Sequence, residues 1–157
     1  MFSLLIPVFN EPESIEATLK SAQDVLSKLG EDYEIIVIND GSTDNTAEIL
    51  AKIDIPHCKV IRHPHNLGYG ASMKTGIRHS SGEYIGTTDA DSTYPIEQIK
   101  PMLEEMRNKE ADMIVGARTK KGAQIPLIRR PAKAVVNILA NILVGMKIPD
   151  LNSGLRI

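Results

Sequence analysis

Five short apolar runs, at residues 4–9, 35–38, 59–61, 84–88 and 113–115, recur along the chain without alternating with polar residues. A strand with one wet face alternates, so unbroken runs of this length mark strands covered on both faces, as in a parallel sheet between two layers of helices. The segments between them carry helical period. Ile15, Leu19, Ala22, Leu26 and Leu29 fall three or four apart, as do Ile96, Ile99, Leu103 and Met106, and each set makes one apolar stripe for packing on a sheet. Asn10 is expected to cap the first helix with Pro12 in its first turn, and Gly30 to end it. Ser42 or Asp44 is expected to cap the second. Strand, helix, strand through five strands predicts a doubly wound α/β fold with right-handed crossovers and a mostly parallel sheet.

In such a sheet ligands bind beyond the carboxyl ends of the strands. That rule sorts the polar residues. Asn10 and Glu11 follow the first run, Asp40 the second, Asn66 the third, Asp89 and Asp91 the fourth and Arg118 the fifth, so all are expected on one rim. The chain of 157 residues suits a single domain over 1–157. A net charge of −2 argues against a dedicated nucleic-acid binder, which needs a basic surface. The lone Cys58 excludes an intramolecular disulfide and a cysteine zinc site, and suits a small buried residue in a reducing compartment. The first residues lack a basic stretch ahead of their apolar run, so no leader peptide is expected, and no run is long enough to span a bilayer. The chain is therefore read as cytoplasmic.

From Gly122 onward the character changes. A loop holding Arg129 and Arg130 precedes a helix-like stretch at 132–148, where Arg130, Lys133, Asn137 and Asn141 form one narrow polar stripe. So wide an apolar arc calls for burial under more protein or a place in a membrane interface. The sequence stops at Ile157 just after a strand-like start, and the expectation is a domain truncated at its C-terminus.

Three groups of residues could carry chemistry. In Asp89-Ala90-Asp91 the two acids stand two apart on extended chain, so both carboxylates can meet one divalent cation; the plainer role is a pair of solvated loop acids. In Asn39-Asp40-Gly41-Ser42-Thr43-Asp44, Asp40 at a strand tip could accept from a nucleobase or ribose, and the segment would equally serve as a turn and helix cap. Asn66-Leu67-Gly68-Tyr69-Gly70-Ala71 opens a helix but lacks dinucleotide spacing, so close backbone packing is the expected use. Arg118, Lys120, Lys121, Arg129 and Arg130 gather cations able to clamp phosphate, Arg by paired hydrogen bonds. His63-Pro64-His65, without an acidic partner in sequence, reads as turn chemistry.

Pro7-Val8-Phe9-Asn10-Glu11, Asn39 to Asp44, Asn66-Leu67-Gly68, Asp89-Ala90-Asp91, Gly116-Ala117-Arg118 and Asp150-Leu151-Asn152-Ser153-Gly154-Leu155-Arg156 occur in the order and spacing of family 2 glycosyltransferases. The chain most resembles their dolichyl-phosphate mannosyltransferase-like, polyprenyl-phosphate branch. The resemblance implies a GT-A, Rossmann-like fold and metal-dependent, inverting transfer of a hexose from a nucleotide-diphosphate sugar to a lipid phosphate at the cytoplasmic face of a membrane. It implies a donor pocket of Pro7, Phe9, Glu11, Ile38, Asp40, Asp89, Ala90, Asp91 and Arg118, with Mg2+ or Mn2+ on Asp89 and Asp91. Arg129, Ser153 and Arg156 fall on the acceptor side, and Asp91, Arg129 and Asp150 are the catalytic candidates. A catalytically silent nucleotide-sugar binding module and a transferase to a sugar hydroxyl in polysaccharide synthesis are the alternatives. Peripheral membrane contact is expected, self-association is compatible with the tail, and no nucleic-acid partner is expected. Two positions depart from the family pattern: Asn39 replaces the first of two acids, and Thr93 stands where some relatives carry a glutamine.

Overall fold

A computed structural model of the chain describes residues 1–117 and 153–157. Arg118, Lys120, Lys121, Arg129, Arg130, Asp150 and the stretch 132–148 lie outside the described residues. Within them the chain runs β1 (Phe2–Val8), α1 (Ile15–Leu26), β2 (Tyr33–Asn39), α2 (Thr46–Lys52), β3 (Cys58–Arg62), α3 (Tyr69–His79), β4 (Tyr84–Thr87), a short 3-10 turn (Ile96–Gln98) and α4 (Ile99–Asn108). The strands are all parallel in the order β3-β2-β1-β4.

The unbroken apolar runs have the cause expected of them. Along β1, Phe2, Leu4, Ile6 and Val8 join Ile15, Leu19, Ala22 and Leu26 of α1 and Ile99 and Leu103 of α4 on one face. Leu5 points the other way and meets Ile36, Ile38 and Met73 beneath α3. Both faces of the central strands are thus covered, and because all the strands run parallel their carboxyl ends share one rim. Gly86 of β4 lies flat under the ring of Phe2, where any side chain would collide. Cys58, half-buried at the start of β3, has its thiol pushed up to about 11 by burial, so it stays an inert thiol.

Three expectations are corrected. Residues 113–115 do not form a fifth parallel strand: Val115 makes only an isolated antiparallel bridge to Arg156, which also bridges Thr87 of β4. Residues 155–157 fill the place beside β4, with the Thr87 amide donating to the Arg156 carbonyl (2.8 Å) and the Gly116 amide to the Leu155 carbonyl (3.0 Å). Leu155 and Ile157 bury in the α1-side core and win that place for their own segment. Asn10 does not cap α1. Its φ is 56° and its side chain accepts from the Thr43 amide (2.9 Å), tying the β1 loop to the β2 loop, while α1 begins after Ser14. Ser42 is likewise used between loops, its Oγ accepting from the Asn10 amide (3.1 Å), and Asp44 accepts from the Thr46 amide (2.9 Å) at the start of α2.

Candidate active site

A cavity of about 470 Å3 opens at the carboxyl ends of β1 and β4. Pro7, Phe9 and Tyr69 give it an apolar wall, and Phe9 and Tyr69 are 40% and 51% exposed, although they are large rings in a chain otherwise poor in aromatics. Glu11, Asp89 and Asp91 supply carboxylates, Arg156 a guanidinium, and Ala90, Ser153 and Gly154 complete the lining. The two acids at 89 and 91 therefore share one cavity with Pro7, Phe9 and Glu11, as does Arg156 from the other end of the sequence.

Local structure fixes the acidic loop. Thr18 of α1 donates its hydroxyl to the Ala90 carbonyl (2.9 Å) in a buried bond and meets the Ser92 hydroxyl (2.8 Å). Asp91 accepts from the Thr93 amide (3.0 Å), which orients its carboxylate. Asp89 lies against Gly154 so closely that a Cβ there would strike its carboxylate. Segment 153–157 is held from behind: Thr87 Oγ1 donates to the Gly154 carbonyl (2.9 Å), Ser153 Oγ to the Gly116 carbonyl (2.6 Å) and Arg156 Nε to the Ser153 carbonyl (2.8 Å). Ser153 thus lines the cavity while its single hydroxyl proton is committed to backbone. Burial and then the Asp89 charge push up the Tyr69 phenol, against opposing pulls from Arg156 and a hydrogen bond with Thr87. Tyr69 accordingly stands in the cavity as a neutral hydroxyl donor.

Two residues named with the nucleoside pocket, Ile38 and Asp40, are not among those lining this cavity. Ile38 is fully buried under α3 and Asp40 is buried at the tip of β2. Asn39 turns inward as well, and its Oδ1 accepts from the Ser42 amide (2.9 Å) to close the turn. Asp40 Oδ1 accepts from His63 Nδ1 (2.7 Å) and the Leu67 amide (2.9 Å), and Oδ2 from the Gly68 amide (2.8 Å). Burial alone would raise this carboxyl, but the imidazole and the two amides outweigh it and hold it below its ordinary value of 3.8. The folded carboxyl takes up its proton less readily than the unfolded one. Its stabilising contribution is therefore complete above the ordinary value and is lost as pH falls through the lower folded value. Urea unfolding should show the gap between wild type and Asp40→Asn widest above about pH 5 and closing as the medium becomes more acid; a gap constant down to acid pH would refute the pairing.

Sequence reasoning missed His63 and Tyr69. Tyr69 was legible as an aromatic at the first position of a rim helix. His63 became legible only once β2 and β3 were neighbours, because its partner Asp40 lies 23 residues away. Among the described residues no three His, Cys, Asp or Glu side chains cluster as a ready-made metal site. None of the described helices is long and apolar enough to cross a membrane.

The parallel sheet, its strand order and a carboxylate-bearing cavity at the strand ends define a domain of GT-A architecture. Solved structures share it. Glucosyl-3-phosphoglycerate synthase from Mycobacterium tuberculosis, in complex with phosphoglyceric acid, superposes with a TM-score of 0.70 at 22% identity over 99% of this chain and 55% of its own. S. aureus TarS in complex with UDP-GlcNAc gives 0.65 at 24% identity, over 80% of this chain and 36% of its own. The mannosyltransferase PcManGT from Pyrobaculum calidifontis, in complex with GDP-Man and Mn2+, gives 0.59 at 20%, over 74% and 35%. The chain belongs to glycosyl transferase family 2, whose profile matches residues 3–154. Among curated relatives, the undecaprenyl-phosphate 4-deoxy-4-formamido-L-arabinose transferases of Salmonella typhimurium and Salmonella newport are 32% identical over 98% of this chain. The chain spans about half the length of these relatives, 47% of each.

Proposed function

We propose that this chain forms the donor-binding part of an inverting glycosyltransferase that moves a sugar from a nucleotide diphosphate to a polyprenyl phosphate. The observation that carries the reading is the convergence of Asp89, Asp91 and Arg156 with the exposed rings of Phe9 and Tyr69 in one cavity. Aromatic faces suit a nucleoside, and the acids and the guanidinium suit a cation and phosphates. The Salmonella relatives are named for transfer to undecaprenyl phosphate, which supports a lipid phosphate as acceptor.

Asp89 and Asp91 fit a resident Mg2+ or Mn2+. Their donors are hard carboxylate oxygens, and Mg2+ in particular is commonly held by one or two carboxylates with substrate phosphates and water completing the shell, so a third protein ligand is not required. PcManGT, described with GDP-Man and Mn2+, supports the same choice. Bound by Asp89 and Asp91, such a cation would supply positive charge to stabilise the leaving diphosphate. The chain's own residues do the remainder: Phe9 and Pro7 hold the nucleoside, Glu11 takes a donor hydroxyl, and Arg156 faces the acceptor phosphate from the same cavity. The anomeric carbon–oxygen bond breaks with its electron pair going to the diphosphate, while an acceptor phosphate oxygen bonds to the opposite face of that carbon. A phosphate acceptor is already an anion near neutral pH and needs no general base. Arg118 is assigned to donor phosphate, Arg129 to the acceptor, and Asp150 to orienting the acceptor side. The protein is placed at the cytoplasmic face of a membrane, with 132–148 in contact with it.

The test is calorimetric titration of UDP- and GDP-sugars with Mn2+ and with chelator, followed by transfer to undecaprenyl phosphate. Metal-dependent binding of a nucleotide sugar is expected, with a lipid-linked product. Metal-dependent binding without product under any acceptor would leave a silent binding module, and product with a free sugar hydroxyl instead would overturn the acceptor. Failure to bind any nucleotide sugar would overturn the whole reading.

A further inference from the structure

Asp40 and His63 are both buried, at 4% and 6% exposure, and both stand behind the cavity wall rather than in it. Their side-chain bonds run to each other and to residues 67–75. Asp40 takes the amides of Leu67 and Gly68, the two residues immediately before Tyr69. His63 joins Asp40 through Nδ1 and Thr75 Oγ1 of α3 through Nε2 (2.9 Å). Beside them Gly41, at φ 69°, presses against the backbone of His65 and Asn66. A carboxylate suits this place, because it faces the amides that open α3. Moving the 66–68 turn would strip donors from a buried charge, so the turn has one well-determined position.

We propose that His63 is a positioning residue for donor binding: with Asp40 it locks the 66–68 turn and thereby sets where Tyr69 stands in the cavity. The proposal rests on the cavity being the nucleotide-sugar site. It assigns Asp40 an indirect part, acting on the ligand through the turn and Tyr69. Alanine at 63 removes the donor to Asp40 and the link to α3. Asparagine keeps an N–H near the Nδ1 position and gives up only the outer link. Thr75→Val keeps the branched shape on α3 and removes that same outer link from the other side.

The experiment titrates UDP-glucose and GDP-mannose with Mn2+ into wild type, His63→Ala, His63→Asn, Thr75→Val, Tyr69→Ala and the double variant His63→Ala/Tyr69→Ala. Amide hydrogen exchange is followed in parallel at Leu67, Gly68 and β1. His63→Ala is expected to weaken binding about tenfold, and His63→Asn and Thr75→Val about threefold or less. In the Tyr69→Ala background the loss from His63→Ala should shrink to under about twofold, since the route through Tyr69 is gone. Exchange should quicken at Leu67 and Gly68 while β1 keeps its protection. Full additivity of the two substitutions, wild-type affinity in His63→Ala, or equal loss of protection in β1 and the turn would each overturn the proposal. If His63→Ala does not fold, Thr75→Val in both Tyr69 backgrounds decides by the same criterion. A wild type that binds neither nucleotide sugar overturns the donor reading and the claim on binding together. Binding that is indifferent to His63 overturns the positioning role alone.

Discussion

Exchanging Asp91 for asparagine is expected to lower nucleotide-sugar affinity about 100-fold in Mn2+, about 2.8 kcal/mol, and to leave the affinity no worse than wild type in chelator. The argument is one of sign. Asp89, Asp91 and Glu11 bring three carboxylates into one cavity, and a diphosphate brings more negative charge. Without a dication these groups repel, so removing one acid relieves repulsion; with a dication, the same removal takes away a ligand. The substitution should therefore reverse its effect when the metal is withdrawn, which a mere packing defect would not do. The Asp91 amide variant retains an oxygen able to accept from the Thr93 N–H, so the loop turn survives and the loss reads out on the cation. Equal affinity for wild type in Mn2+ and in chelator would remove the metal from the proposal.

Gly41→Ala should destabilise the domain by about 3 kcal/mol, because a left-handed position is given a Cβ that must overlap backbone rather than a movable side chain. Gly41 has φ 69°, and the atoms in the way are the backbone of His65 and Asn66, the last residue of the β3 loop before the turn clasped by Asp40. Neither side can yield cheaply. For a domain of this size the melting temperature should fall by roughly 6–12 °C. Gly30 also has a positive φ, but nothing lies near its missing side chain, so Gly30→Ala bears only the backbone cost of about 1 kcal/mol. A Gly41→Ala melting temperature equal to that of Gly30→Ala would show that the β2 tip does not press on the 65–66 backbone.

The double-faced core was legible in the runs at 4–9 and 35–38 because burial on both sides leaves no room for alternation, and the structure places Leu4 and Leu5 on opposite faces as that requires. Asp89 and Asp91 were legible as a converging pair because spacing along extended chain is a local property. What was not legible depended on neighbours distant in sequence. Apolar content alone made 113–115 a strand, but not which segment would pair with β4; the alternation of Leu155, Arg156 and Ile157, with its outer residues buried and Arg156 turned to the cavity, was the overlooked signal. Asp40 was read as facing a ligand because it ends a strand on the rim. The structure also bonds it to a buried imidazole just beyond the end of β3, and no local pattern encodes that meeting.

Gly116 and Ser153 deserve a different description from the strands they adjoin. The two stand 37 positions apart in the sequence yet touch: Ser153 Oγ reaches the Gly116 carbonyl (2.6 Å), and the Gly116 amide the Leu155 carbonyl (3.0 Å). Gly116 and Ser153 thus form a single closed neck beside the cavity. For a flexible loop, closing two ends costs only about 0.6 kcal/mol more per doubling of its length, so the closure at this neck depends on its own hydrogen bonds far more than on loop length. The pairing at the neck is therefore what keeps Gly154 and Arg156 in place beside Asp89. A break in the neck pairing would therefore be felt in the cavity itself.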